Sequence, residues 1–419
     1  MTLTTPVSPL FRDSRMVIYL FIAFRLMMLI VYQPLDGVGP GITVFGDFQH
    51  YYNFATLSAG GALPYRDYWY EFPPVFPIVS LTIYGLTHDF TGYAISLGFV
   101  MICFDLGSLL LLRRIGTRLH GESTGTALAW VYALMAVPLV FSSWTFEPMV
   151  AFSVLLALAW LLEGKARQAD RSAFAVAFGA LTKLFPLISL AAVWRFRPWR
   201  LAFRYTVIAI GVSTVGLLTI LLIGGKFGVP SLVAQFNKAS YQSVWALIDR
   251  NYKTGNFGPI IDHFDPAKAS DLQGNPPVIP WWLRSGVFAV IGLYVYATTR
   301  RFDFKGITAF VTITITIFFL WSQGWSPQWQ MILVPLILLN FPTREGVFAC
   351  LMLAFISFVD YPLLFSRMAD TDGAINATQL PLFTAIVLLR TGILIGLAAA
   401  LPNRTKRCTH RIAELTLTS

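Results

Sequence analysis

Long apolar stretches that end in clusters of arginine dominate this sequence, and they leave few folds open to it. The clearest stretch runs from Phe90 to Leu112 and is followed by Arg113, Arg114 and Arg118. About 20 apolar residues are enough to cross a bilayer as a helix, and a basic cluster at one end marks the cytoplasmic side. Because 56% of the residues are hydrophobic and only 12% are charged, the chain is predicted to be an integral membrane protein, and a water-soluble fold is excluded.

The net charge of +10 does not indicate a nucleic-acid partner, because the basic residues lie in short clusters between apolar stretches. Two cysteines lie inside apolar stretches and one in the tail, without the spacing of a disulfide framework or a metal motif. We expect no metal and no cofactor, since the acidic runs of the loops also lack calcium-loop spacing. These acidic runs are Asp262, His263, Asp265 and Asp271 in one segment and Asp370 and Asp372 in another.

Threading the apolar stretches through the membrane with their basic clusters inside predicts an all-α polytopic bundle of about 11 or 12 helices. The chain is then a single membrane domain, residues 1–419, with both termini in the cytoplasm. Two large extracytoplasmic loops are predicted, at residues 33–89 and 224–282. Val75–Leu86 is too short to span and is expected along the outer surface. Ser172–Trp194 has basic flanks at both ends, which predicts a helical hairpin with Lys183 near its turn.

The first predicted outer loop carries most of the polar chemistry of the sequence. From Phe45 it reads FGDFQHYYNFATLSAGG, a pattern that places Asp47, His50 and Tyr51 on one face of a surface helix. The two glycines end that helix, and the prolines that follow favour an extended return of the chain. The loop is therefore predicted to present a carboxylate away from the lipid.

The first outer loop of the GT-C superfamily of membrane glycosyltransferases is similar to this segment. Within that superfamily, the resemblance is closest to the polyprenyl-phosphate-mannose-dependent α-mannosyltransferases of the phosphatidylinositol mannoside pathway. Two later segments, Thr182–Pro186 and Trp325–Trp329, agree with it, although Phe72 and Trp329 stand where relatives often have tyrosine. The residues of the first loop that carry the resemblance are Asp47, Tyr51, Tyr52, Ala55, Gly60, Pro64, Tyr65, Arg66, Asp67, Glu71, Phe72, Pro73 and Pro74.

The resemblance implies an inverting glycosyltransferase in the plasma membrane of a prokaryote. It implies transfer of a hexose, mannose in the nearest relatives, from a polyprenyl-phosphate donor to a lipid-linked or cell-envelope acceptor at the outer face. Asp47 occupies the position of the acidic residue that serves as the base. A transporter or flippase of a lipid-linked saccharide is the alternative; such a protein places ionisable residues through the mid-membrane.

The reaction itself calls for a base, for cations near the departing phosphate and for aromatic faces that pack on the sugar. Asp47 is the predicted base. Lys183 or a basic residue of the second predicted loop is expected to contact the donor phosphate, and Lys183 is favoured because an ionisable residue among apolar ones is costly. The residues predicted to bind substrate are Glu71, Lys183, His50, Arg66, Tyr51, Trp245, Trp325 and Gln328.

Structural roles are the alternatives for the same residues. Asp47 has the character of a helix N-cap, and Glu71 has Arg66 nearby as a partner for an ion pair. Lys183 is able to extend its amine to the interface, and His50 either orients Asp47 or is incidental to the site. Tryptophans such as Trp245 and Trp325 collect at membrane interfaces whether or not a ligand binds there.

Overall fold

The computed structural model of the chain describes residues 13–32, 46–135, 140–253, 255, 258–271, 274–364 and 374–406. Within these residues the fold is helical, and the prediction of an all-α polytopic membrane protein is confirmed. The described part contains 5 helices long and apolar enough to cross a membrane. The larger count of about 11 or 12 stays a prediction, because several apolar helices of the bundle are shorter than that length. The five are Ser14–Val31, Phe90–His120, Trp199–Val233, Phe304–Trp321 and Leu380–Pro402.

The α-helices of the described residues are numbered here in chain order. They are α1 (Ser14–Tyr32), α2 (Gly46–Thr56), α3 (Val75–Thr87), α4 (Phe90–His120), α5 (Glu122–Leu134), α6 (Glu147–Glu163), α7 (Ala166–Thr182), α8 (Leu190–Phe196), α9 (Trp199–Gly224), α10 (Gly228–Val233), α11 (Val244–Asp249), α12 (Trp281–Thr298), α13 (Phe304–Trp321), α14 (Gln330–Asn340), α15 (Arg344–Phe358) and α16 (Leu380–Lys406).

The short helix α14 forms the centre of the bundle. Its sequence, QMILVPLILLN, is apolar on all sides, and every one of its residues is buried, as a helix without a polar face requires. It packs against α4, α5, α6, α13 and α15. Because its first residue, Gln330, directly follows the Trp325–Trp329 segment, the centre of the core fixes the position of that segment.

Two buried ion pairs join helices inside the bundle. Arg25 of α1 contacts Asp105 of α4 at 3.1 Å, and both side chains are fully buried. Arg390 of α16 contacts Asp360 at 3.0 Å. Removing one partner of such a pair costs roughly 3–5 kcal/mol, because the other charge is left buried. These pairs therefore tie distant segments of the chain together.

Three predicted segments can be compared with the helix boundaries of the structure. The apolar stretch at Val75–Leu86 forms the 13-residue helix α3, and its expected place along the outer surface stays a prediction. The predicted break at Lys183 is present, because α7 ends at Thr182 and Lys183 is extended at φ −159° and ψ 123°. α4 begins with the apolar stretch at Phe90 but continues past Leu112, through the basic residues, to His120. It stops at Gly121, whose φ of 93° suits glycine.

The first predicted loop begins, in its described part, with α2 and a 3-10 turn that Gly61 ends in the left-handed region, as predicted. A long segment, residues 225–280, connects α9 to α12, and its described residues form short helices and irregular structure. The two segments pack together: the indole of Trp69 stacks on the His263 ring at 3.7 Å, and the Trp69 backbone N–H donates to the His263 carbonyl at 3.0 Å. Their extracytoplasmic placement stays a prediction, and residues 33–45 and 365–373, with Asp370 and Asp372, lie outside the described residues.

Candidate functional site

Asp47 lies in the first turn of α2, with its carboxylate directed toward the bundle. The hydroxyl of Tyr51, one turn later, donates to its Oδ2 at 3.2 Å. The Gln328 amide donates to the same oxygen at 3.3 Å. Burial and then the nearby Glu147 carboxylate raise the pKa of Asp47 to about 7, while the Tyr51 bond and Lys183 oppose the rise. A carboxyl group with this pKa is suited to accept a proton near neutral pH.

Lys183 forms an ion pair with Glu147. The extended backbone at Lys183 opens the helix, and the side chain places its Nζ 2.6 Å from Oε1 of Glu147. Glu147 is the first residue of α6 and is only 1% exposed. Its other oxygen, Oε2, is buried and has no hydrogen-bond partner among the described residues. The Lys183 amine also lies 5.1 Å from the ring centre of Trp329. Lys183, at the end of α7, therefore contacts α6 through Glu147 and the Trp325–Trp329 segment through Trp329.

Glu71 and Lys238 form a second lysine–carboxylate pair. Their side chains meet at 2.5 Å, and the Glu71 side chain is 3% exposed. Burial raises the pKa of Glu71, although Lys238 opposes the rise. The suggested pairing of Glu71 with Arg66 is wrong, because Arg66 instead contacts its neighbour Asp67 at 2.8 Å on the surface. Oε1 of Glu71 is buried without a partner in the described part of the chain, so this carboxylate keeps a free acceptor.

The Trp325–Trp329 segment is fixed by Tyr241 of the long connecting segment. The Tyr241 N–H donates to the Gln323 carbonyl at 3.2 Å, and the Trp325 N–H donates to the Tyr241 carbonyl at 3.1 Å. The Tyr241 ring lies so close to Gly324 that a Cβ there would stand 2.3 Å from it. Gln328 and Trp329 are thereby held beside Asp47 and Lys183, and Tyr241 forms part of the adjoining cavity wall.

A cavity of about 930 Å³ adjoins these pairs. One end is polar and includes Glu71, Lys183 and Lys238. The rest is mainly apolar, with walls from α9, α12 and α13. The volume lies in the upper part of the range of small-molecule sites. The apolar and aromatic lining side chains are Phe72, Pro73, Leu184, Phe185, Ile188, Leu217, Ile220, Leu232, Phe236, Tyr241, Trp281, Phe288, Ala289, Ile317, Phe318, Trp321 and Trp329.

Arg284 is a third cation in the cavity lining. It lies in the first turn of α12, between the rings of Trp245 at 5.3 Å and Trp321 at 5.7 Å from their centres. Its Nη2 donates to the Gln323 side-chain oxygen at 3.3 Å. Trp245, predicted to bind substrate, donates its indole N–H to the Leu320 carbonyl and packs behind this arginine.

The remaining predicted residues lie at different distances from the cavity. Arg66 is half-exposed and is not part of the cavity lining. His50 is packed against Phe54 and His263, and burial lowers its pKa to about 3, which keeps the ring neutral. Trp325 is buried beneath Trp329 at a ring separation of 5.8 Å. Of the predicted site residues, the structure places Glu71 and Lys183 in the cavity lining. It brings Tyr51 and Gln328 into contact with Asp47, which Lys183 influences electrostatically, although these three residues do not line the cavity.

Glu147, Tyr241 and Arg284 were not among the predicted site residues. Lys238 was covered only as one of the basic residues of the second predicted loop. Glu147 stood in a short outer turn without an assigned role, although it is an isolated acid between two apolar stretches. Tyr241 and Arg284 occur in an aromatic-rich region where interfacial residues are common. The useful signal was charge: Glu147 and Lys183 are both costly among apolar residues, and pairing them would have reduced that cost.

Comparison with known proteins gives distant structural likenesses only. No family model matches the sequence, and no curated protein matches it. The apo oligosaccharyltransferase of Archaeoglobus fulgidus aligns with a TM-score of 0.42 and 13% identity, covering 94% of this chain and 56% of that chain. ArnT from Cupriavidus metallidurans bound to undecaprenyl phosphate aligns with a TM-score of 0.46 and 16% identity, covering 93% and 76%. This chain therefore spans just over half of the length of the archaeal enzyme.

Proposed function

We propose that this protein is an inverting glycosyltransferase of the GT-C type. It transfers a hexose, mannose in the form suggested by the sequence resemblance, from a polyprenyl-phosphate donor to a lipid-linked or cell-envelope acceptor. The reaction takes place at the extracytoplasmic face of the plasma membrane. Asp47 is the general base of this reaction, and the cavity beside Lys183 and Lys238 receives the donor.

The observation that carries this proposal is the combination of a polar end and an apolar wall in one cavity. Lys183 and Trp329 line the cavity, whereas Asp47 does not. Asp47 is linked to the lining by the electrostatic influence of Lys183 and by its contact with Gln328, the residue before Trp329. The apolar wall suits a hydrocarbon chain, since burying each CH₂ group contributes about 0.8 kcal/mol. A sugar joined to a lipid through phosphate has the same sequence of polar, charged and apolar parts.

In the proposed step, the oxygen of the acceptor hydroxyl attacks the anomeric carbon of the donor sugar. A new C–O bond forms on one face while the bond between that carbon and the phosphate oxygen breaks on the other, so the configuration inverts. The polyprenyl phosphate leaves with the bonding electron pair, and the hydroxyl proton passes to the carboxylate of Asp47. A cationic side chain near the phosphate stabilises the charge that develops on it.

The environment of Asp47 matches this role. Its raised pKa, about 7, makes it a stronger base than an exposed carboxylate and leaves it largely ionised just above neutral pH. The Tyr51 and Gln328 bonds both reach Oδ2, which fixes the orientation of the carboxylate. The indole of Trp329 offers an aromatic face for the sugar ring.

The test is transfer of radiolabelled sugar from polyprenyl-phosphate mannose or glucose to a membrane-lipid extract by the purified full-length protein. Asp47→Asn is expected to bind donor normally but to transfer sugar at least about 100-fold more slowly, because a positioned base contributes about 10²–10⁴-fold. Asp89→Asn is the matched control: Asp89 is an exposed N-cap of α4, and asparagine caps equally well. Asp47 is the second residue of α2, inside the helix and not at the N-cap position suggested by the sequence. Transfer by Asp47→Asn at the parent rate would show that Asp47 is not the base.

The charged residues inside the described bundle favour an enzyme over a transporter. Arg25 is paired with Asp105, and Arg390 is paired with Asp360, so these residues hold helices together instead of lining a pathway. Absence of labelled product with every donor tested, together with movement of a lipid-linked sugar across reconstituted vesicles, would reverse this preference.

A further inference from the structure

The charges of the cavity lining are unevenly compensated. Among the described residues, the cations that line it are Lys183, Lys238 and Arg284. The two lysines are each paired with a carboxylate, at 2.6 Å and 2.5 Å. In the described part of the chain, no carboxylate oxygen lies within 4.0 Å of the Arg284 guanidinium nitrogens. Three cations against two partner carboxylates leave one positive charge, and it belongs to Arg284.

Arg284 is held in place although no carboxylate of the described residues forms an ion pair with it. The residue is 7% exposed, and its Nε is buried without a hydrogen-bond partner among the described residues. The indoles of Trp245 and Trp321 flank the guanidinium, and stacked aromatic rings restrict such a group without using its N–H donors. Asp249 is the acidic group that acts on it from a distance, but its carboxylate already accepts bonds from Ser240 and the Val278 N–H.

The position of Arg284 also specifies the shape of a ligand. Phe288 lies four residues later on α12, on the same helix face, and it lines the apolar wall. On the other side, the side-chain oxygen of Gln323 accepts a hydrogen bond from Arg284, and Gln323 also lines the cavity. The side-chain amide of Gln323 donates to the backbone carbonyl of Lys238 at 2.6 Å, so Gln323 connects Arg284 to Lys238. An anion at Arg284 would therefore stand between the hydrocarbon wall and the lysine–carboxylate end.

We propose that Arg284 binds the phosphate of the lipid donor, while Lys183 and Lys238 remain with their carboxylates and border the sugar. The proposal rests on the function proposed above and assigns its phosphate to a residue other than the one favoured by the sequence. A phosphodiester that joins a sugar to a lipid carries one negative charge, which equals the single uncompensated charge of the lining. Guanidinium is the suitable cation, because its planar N–H donors match two phosphate oxygens at once.

The binding test uses the full-length protein in nanodiscs of neutral phosphatidylcholine, without any sugar transfer. The probes are polyprenyl phosphate, the corresponding uncharged polyprenol, inorganic phosphate and phosphatidylglycerol. Arg284→Gln is expected to weaken polyprenyl phosphate binding at least tenfold, which corresponds to about 1.4 kcal/mol, and to change polyprenol binding less than twofold. Lys226→Gln is the matched control, since it removes an equal charge from an exposed lysine that is not part of the lining.

A second variant keeps the proposal testable if Arg284→Gln does not fold. Arg284→Lys retains the charge but not the planar set of donors, so polyprenyl phosphate is expected to bind at least threefold more weakly than to the parent. Parent-like binding by the folded Arg284 variants, or a tenfold loss in Lys183→Met alone, would overturn the assignment.

The other probes distinguish the donor phosphate from other anions, and the transfer assay distinguishes the role of Arg284 from the proposed function. Displacement of polyprenyl phosphate by phosphatidylglycerol at equal concentration would indicate a general anionic-lipid site and overturn the donor assignment, as would tight binding of inorganic phosphate alone. Sugar transfer by the parent protein is measured separately. Normal transfer by Arg284→Gln would contradict the role of Arg284 only, whereas no transfer by the parent would contradict the proposed function itself.

Discussion

Glu147 should set the pH at which Asp47 becomes an effective base, and the substitution Glu147→Gln tests this. The Glu147 carboxylate raises the pKa of Asp47, which burial has already raised, and the two effects bring it to about 7. Glutamine removes that negative charge and releases Lys183, whose positive charge lowers the pKa of Asp47. Both consequences favour the ionised carboxylate, so transfer should persist to lower pH in the variant.

The size of the shift follows from the strength of such interactions. Two unit charges 4 Å apart interact by about 4 kcal/mol at an effective dielectric constant near 20, and by about half of that at twice the distance. One pKa unit corresponds to about 1.4 kcal/mol. Because solvent reaches part of the Asp47 side chain and screens the interaction, we expect a decrease of at least about one unit. The acid limb of the profile then moves from about pH 7 to about pH 6 or below.

The measurement is kcat/KM for sugar transfer between pH 5 and pH 9 in nanodiscs, for the parent and for Glu147→Gln. The parent should lose activity as pH falls through about 7, because protonated Asp47 cannot accept the hydroxyl proton. An acid limb that stays in place, or moves to higher pH, in a folded Glu147→Gln protein would refute the electrostatic coupling of these two carboxylates.

Two further substitutions test neighbouring parts of the site. Lys183→Met removes the cation that lowers the pKa of Asp47, so the acid limb should move to higher pH, opposite to the Glu147 variant; a shift to lower pH would contradict the arrangement. Gly324→Ala places a methyl group 2.3 Å from the Tyr241 ring, and such overpacking costs about 1–3 kcal/mol. Gly324→Ala should therefore lower the melting temperature and slow transfer. Gly211→Ala is the control and should do neither, because a Cβ there meets nothing within 4 Å. Equal melting temperatures of the two variants would show that the Tyr241 contact is loose.

The sequence was sufficient for the features that depend on local physics. The all-α fold follows from apolar stretches, and the break at Lys183 follows from a stretch with basic flanks at both ends. The end of α4 could not be inferred from charge, because basic residues continue a helix readily, and the stop comes from the backbone at Gly121.

The site was predictable only in part, because its pairs join distant segments. The resemblance pointed to Asp47 and Glu71, but the partner of Glu71 is Lys238, in another loop. Arg66 is nearer to Glu71 in the sequence and was the suggested partner, but it forms its ion pair with Asp67. Pairings of this kind depend on how the helices assemble, which periodicity and composition do not specify. Arg284 had the same difficulty, since its significance lies in having no carboxylate within 4.0 Å in the part of the chain that the structure describes.

The pairing of Glu71 with Lys238 has a consequence for how the protein is made. The two residues are 167 positions apart (238 − 71), so the ribosome adds that many residues after Glu71 before its partner exists. At about 5–20 residues per second, the interval is roughly 8–33 s. During that time the carboxylate has no lysine, and the first loop lacks Ser231, whose hydroxyl accepts the N–H of Tyr70. The polar end of the cavity therefore forms only after the second long segment has been synthesised and packs against the first.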